Sequence, residues 1–155
     1  MPGYSYSAAG EQTVLATPDS TISVSQPAAA LQRFRVFDIT MQQLAAAADG
    51  TIPHKVQRLT ADGTGDAVTE VELDLDGAAN DAVVLANHTV EPTYTANQIL
   101  LEYDINQRAI YRWVSVGERG DIVIPKTNDA GIGHYAEQGA DTYAGDVRCT
   151  IGWQE

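Results

Sequence analysis

The chain has 155 residues and a net charge of −12, nine basic side chains standing against 21 acidic ones. Nucleic acid and anionic membranes call for clustered Lys or Arg; here the only lysines are Lys55 and Lys126 and the arginines are scattered, so both are poor partners. The length suits one domain, residues 1–155, with a core that needs no staples, and the lone cysteine, Cys149, rules out an intrachain disulfide.

The apolar fraction, 44%, is that of an ordinary globular protein, while Thr, Ser, Gln and Asn make up for a low charged fraction of 19%. The first residues, MPGYSYSAAGEQ, lack the basic and apolar regions of a signal peptide, and no apolar run is long enough for a membrane helix. Residues 1–10 read as an N-terminal arm, flexible or docked on a partner.

Strand signals dominate in chain order. Residues 12–16 (QTVLA) and 21–25 (TISVS) flank a Pro-Asp turn and predict an N-terminal hairpin or a pair of edge strands. Residues 31–40 (LQRFRVFDIT) form a longer strand with Phe34 and Val36 on one face and Phe37 and Ile39 on the other, and with Arg33 and Arg35 placed to reach carboxylates across a strand. Residues 41–49 (MQQLAAAAD) have the composition of a short helix, but nine alanine-rich residues are marginal alone, and an irregular or extended connection is the favoured reading.

Residues 54–61 predict a strand and residues 62–66 (DGTGD) a loop. Residues 68–75 (VTEVELDL) alternate, with Val71, Leu73 and Leu75 expected on a buried face. The stretch 91–98 (EPTYTANQ) reads as an ordered connection between apolar runs. Residues 98–105 and 109–116 predict a hairpin around Asn106-Gln107-Arg108. Residues 121–124 (DIVI) form a short strand, residues 126–144 a long loop, and residues 146–153 (DVRCTIGW) the cleanest alternation in the chain. Many short strands and no sustained helical period predict an all-β antiparallel β-sandwich, jelly-roll-like, with a long loop in its C-terminal half.

Chemical motifs are sparse. Asp74 and Asp76, followed by Gly77, resemble part of a calcium loop, but Val83 stands where a bidentate Glu is required. A solvated strand face is the better reading. His54, His88 and His134 are far apart and form no H-x-x-x-H pair. Cys149 has the apolar parity of its strand and reads as a small buried residue rather than a nucleophile. No phosphate loop or nucleophile elbow occurs. Asn87-His88-Thr89 fits a glycosylation sequon, read as chance. No catalytic residue, cofactor or metal is expected. Trp113 and Trp153 lie in strand patterns and are expected in the core. Among the tyrosines, Tyr4, Tyr6, Tyr94, Tyr135 and Tyr143 are the interface candidates, because aromatics supply contact area at low entropic cost.

Residues 87–116 (NHTVEPTYTANQILLEYDINQRAIYRWVSV) and 121–133 (DIVIPKTNDAGIG) resemble a family of small virion proteins of tailed bacteriophages, the head decoration or cement proteins. Residues 58–69 share in the resemblance, which runs from Tyr4 to the C-terminus. It departs from the family pattern at residues 74–83, where a more proline-rich loop is expected, and at residues 128–131. The resemblance implies a β-sandwich subunit, a homotrimer, bound through the major capsid protein to the outside of the virion head, and it carries no catalytic residue. The alternative is a receptor- or glycan-binding module on a spike or tail.

Overall fold

The computed structural model describes residues 3–14, 18–29, 32–44, 49–75, 77–117, 120–138 and 145–155. No helix occurs among them. Twelve strands form two antiparallel sheets packed face to face, a β-sandwich. The first sheet holds β1 (Ser5–Val14), β3 (Phe34–Gln43), β6 (Val71–Glu72), β9 (Ile110–Val114), β10 (Ile122–Ile124) and β12 (Gly145–Gln154). Its order is β10-β3-β12-β1-β6, and β9 lies beside β10 along the same edge of β3. The second sheet runs β5-β7-β2-β11-β4-β8, from β2 (Asp19–Ser25), β4 (Thr51–Ala61), β5 (Thr64–Ala67), β7 (Val83–Val90), β8 (Thr93–Asn106) and β11 (Gly131–Ala136).

The clean alternation of residues 146–153 becomes β12, at the centre of the first sheet. Val147, Cys149, Ile151 and Trp153 are all buried, and Trp153 stacks on Tyr6 of β1 with ring centroids 5.8 Å apart. Ile22 and Val24 of β2, Val56 of β4 and Ile132 of β11 close the core from the other sheet. The two-sided pattern of β3 has a local cause. Gly152 opposes Asp38 while Trp153 opposes Val36, so Phe37 faces no partner and forms a bulge. Phe34 and Val36 point inward before it, Ile39 and Met41 after it. On the outer face Arg112 of β9 binds Asp38 of β3 through two nitrogens, and Arg35 reaches Asp121 at 3.8 Å, the cross-strand pairing expected of that arginine.

Several expectations are corrected. β1 and β2 form no hairpin and are not edge strands, because β1 pairs with β12 and β6, and β2 with β11 and β7. The turn at Asn106–Arg108 also changes sheets. It carries the chain from β8 to β9 around Tyr103 and Tyr111, whose rings lie 4.0 Å apart. Within the expected arm, residues 5–10 are strand: they pair along β12, and Glu155 N donates to Tyr4 O, while residues 1–2 lie outside the described residues. In the alanine-rich stretch, Met41–Gln43 extend β3, and residues 45–48 lie outside the described residues. Residues 68–75 contribute only the two-residue β6. Val71, Leu73 and Leu75, expected inside, are 61%, 56% and 93% exposed. Within the expected loop 126–144 runs β11, the most deeply buried strand of the second sheet; residues 139–144 lie outside the described residues.

Candidate functional site

Over β2 and β11 the outward face of the second sheet is covered, not solvated. Ser20, Ser23 and Ser25 of β2 sit on it and are all buried. The cover comes from the end of β7, the start of β8 and the two residues that join them, and two left-handed asparagines shape it.

Asn87 has φ 49°. Before it Val84 and Ala86 point to the core; after it the alternation is broken and His88 turns outward onto β2. His88 Nδ1 lies 3.2 Å from the Ser20 carbonyl and Nε2 3.1 Å from Ser23 Oγ. A carbonyl only accepts, so Nδ1 carries the proton and Nε2 accepts from the Ser23 hydroxyl. Burial pushes the His88 pKa down, which keeps the ring neutral. Asn97 has φ 61°. Around it β8 bulges away from β4: between the pairs Leu59–Tyr94 and Gln57–Ile99, the single residue Arg58 faces four residues, Thr95 to Gln98. Gln57 Nε2 pins the bulge by donating to the Thr95 carbonyl at 2.6 Å.

The stretch EPTYTANQ is thus mostly strand, not connection. Thr93 already opens β8, and Tyr94 reaches across β4 to lie over Gly133 of β11. Glycine is required there, since a Cβ on Gly133 would stand 2.5 Å from the Tyr94 hydroxyl oxygen. That hydroxyl lies 2.7 Å from Ser20 Oγ. Glu91 accepts from Ser20 N at 3.0 Å and from the Ser20 hydroxyl. With its one proton on Glu91, the Ser20 oxygen accepts from Tyr94. Burial raises the Tyr94 pKa, so the phenol keeps that proton. Tyr135 lies beside Tyr94, centroids 4.9 Å apart, and donates to Gln57 Oε1 at 2.8 Å.

These groups border a cleft of about 560 Å³ at one end of the sheet. Pro18 and Asp19 at the start of β2, His88 and Thr89 near the end of β7, and Glu91 form its rim. Tyr94 and Tyr135 line it, with Glu137 just past β11. Lys55 sits alongside, 3.1 Å from both Glu137 oxygens, 3.5 Å from Glu102 and 5.9 Å from the Tyr135 ring centre.

Among the described residues that line the cleft, none forms a nucleophile–base pair. Ser23 and His88 have the contact of a nucleophile and its base, but Ser23 is 1% exposed and does not line the cleft. Their bond fixes the sheet to its cover.

The interface candidates separate. Tyr94 and Tyr135 meet at the cleft, although Tyr135 is 8% exposed and Tyr94 is half-buried. Tyr6 is a core residue at 1% exposure, its hydroxyl donating to the Ala78 carbonyl at 2.5 Å. Tyr4 is exposed near Gly77 at the opposite margin of the molecule's first sheet. Tyr143 lies outside the described residues, as does Asp76 of the calcium candidate; Asp74 is exposed. Among the described residues no three His, Cys, Asp or Glu side chains are grouped to hold a metal. Trp153 is fully buried and Trp113 half-buried at the edge of the core.

His88, Glu91 and Ser20 form a unit that no motif in the sequence announces. The usable signal was Gly131-x-Gly133, a strand face whose missing side chains make room for Ser25 at the first glycine and for the Tyr94 ring at the second. No family model matches the chain, and no curated protein matches it.

Proposed function

We propose that the chain is a non-catalytic virion protein that decorates the outside of a tailed-phage head and stabilises the capsid lattice by binding it. One observation carries the reading. His88, Glu91 and Tyr94 of the first resembling stretch and Gly133 of the second meet over Ser20 and Ser23 of β2, so the two stretches share one assembly.

Strand order supports the same reading. We read the path β1-β12-β3-β9, packed against β2-β11-β4-β8 with β5 to β7 inserted after β4, as a jelly-roll order. That architecture serves many functions and is supporting analogy only. The strip Val71, Leu73 and Leu75, exposed beside β1 at the edge of the first sheet, is the surface that contacts a neighbour. Three copies form the binding unit, and the shell protein is the partner. Binding only the assembled lattice lowers the free energy of that state by mass action, and many symmetric copies add avidity.

The test is co-sedimentation of the purified chain with heads assembled from the cognate shell protein, alongside light scattering of the free chain. The expected outcome is saturable binding by a species of about three times the 16.6 kDa chain mass, weakened by Leu73→Ser with Leu75→Ser. Failure to sediment with intact heads would refute the reading.

A further inference from the structure

The tyrosine-lined cleft has the chemistry of a cation site. Its rim carries Asp19, Glu91 and Glu137, and its walls are the rings of Tyr94 and Tyr135. Carboxylates attract a cation by charge, and tyrosine rings attract it through the negative face of the π system. The chain already uses this combination once. Lys55 places its ammonium between Glu137 and Glu102 beside the Tyr135 ring. That cation serves the Glu137 end of the cleft.

At the other end Glu91 uses Oε2 alone for Ser20, and Oε1 takes no hydrogen bond among the described residues. Glu91 is exposed, so this oxygen is available to a donor entering the cleft. The groups around it are held in place. Ser20 fixes Glu91 and the Tyr94 hydroxyl, Gln57 fixes the Tyr135 hydroxyl, and Gly133 seats the Tyr94 ring. A ligand therefore meets a preorganised site and spends little on ordering it. The volume, about 560 Å³, is within the usual range for small-ligand sites.

We propose that this cleft binds a ligand bearing an alkylammonium or guanidinium group, its cation held between Glu91 and the Tyr94 and Tyr135 rings. The ligand's charge complements the Glu91 carboxylate, and its alkyl stem lies along the rings. Such a group reaches the site either as a Lys or Arg side chain of a polypeptide or as a free polyamine. The site is independent of head decoration, and its test uses no capsid.

The experiment follows backbone amide signals of the isotope-labelled chain during titration with N-acetyl-lysine methylamide, N-acetyl-arginine methylamide and spermidine. The neutral probes are N-acetyl-glutamine methylamide and methyl glucoside. Saturable shifts at Thr89, Glu91, Tyr94 and Tyr135 with the cationic probes support the site, and the tightest of the three identifies the source. Affinity should fall about fivefold in Glu91→Gln, which keeps an acceptor for Ser20 but loses the charge, and also in Asp19→Asn. It should fall again between about 50 and about 500 mM salt, a measurement on the unaltered chain that needs no variant to fold. Absence of shifts with every cationic probe, equal binding of a neutral probe, or binding indifferent to both salt and the two substitutions would overturn the proposal.

Discussion

Acidification from about pH 7 to about pH 5 should destabilise the sandwich through two histidines that lie 80 positions apart in the chain. His54 of β4 and His134 of β11 point into the core, with Nδ1 of the first 3.0 Å from Nε2 of the second. They are 1% and 0% exposed, and His134 Nδ1 has no hydrogen-bond partner among the described residues. Burial lowers the His54 pKa from 6.5 to about 4. Burial, then the proximity of His54, lowers that of His134 well below 6.5. Both rings are neutral in the fold, while in the unfolded chain each takes up a proton below about pH 6.5. Stability is therefore full above that pH and is lost as pH falls toward the folded value. Each pH unit of that interval is worth about 1.4 kcal/mol per histidine, so His54 alone accounts for a loss of about 2 kcal/mol by about pH 5. His134 adds in the same direction. Denaturant unfolding at fixed ionic strength, followed by tryptophan fluorescence, measures the loss. The contrast is with His54→Gln, whose amide keeps a hydrogen bond to His134 but does not titrate. The variant should lose about 2 kcal/mol less than the parent over the same interval, because contributions from His88 and Asp62 are common to both and cancel. Equal losses in parent and variant would refute a buried, neutral His54.

Gly133→Ala should destabilise by about 1–3 kcal/mol, since its methyl group collides with the Tyr94 hydroxyl, and the penalty should shrink in a Tyr94→Phe background; thermal melts of the double-mutant cycle check this. Tyr94→Phe alone should cost about 1 kcal/mol by removing the bond to Ser20 while keeping the ring. Trp153→Ala removes the largest fully buried side chain and its stack on Tyr6, and should cost about 3–5 kcal/mol in denaturant unfolding. Cys149 is enclosed in the core, where burial raises its thiol pKa, so a thiol reagent should react with the native chain only at its rate of opening; prompt stoichiometric labelling would contradict the burial.

The fold class was legible because strands with one face inside must alternate, and β12 does so without interruption. Pairing was not legible. Short polar turns before β2 and after β8 look the same whether the next strand pairs with its predecessor or crosses to the opposite sheet, since both routes ask the same side chains to point inward. β11 escaped detection for a different reason. GIGHYA has glycines where a strand would show its outward residues, and these are there because Tyr94 and Ser25 occupy the space. Residues 68–75 misled in the reverse sense: their alternation is real, but only Val71–Glu72 pair with β1, and the apolar members remain outside. The histidine pair had no local signature, because β4 and β11 meet only through the sheet register that sets Val56 opposite His134.

His88, Glu91 and Tyr94 fall within seven residues, and each reaches back to β2 rather than to its own neighbours. Three residues bound to one strand, with left-handed residues on either side, make the β7–β8 segment a clasp over the second sheet. A clasp also explains the cleft. Glu91 spends one oxygen and Tyr94 its hydroxyl on Ser20, while the second Glu91 oxygen and the ring walls are left at the surface. Rigid fixation and ligand binding draw on different atoms of the same residues, so the two roles can be separated. Tyr94→Phe should loosen the clasp yet keep a cation-binding ring, whereas Glu91→Gln should spare the clasp and weaken the binding. If both substitutions changed stability and cation affinity in the same proportion, the cleft would be a by-product of the clasp and not a site.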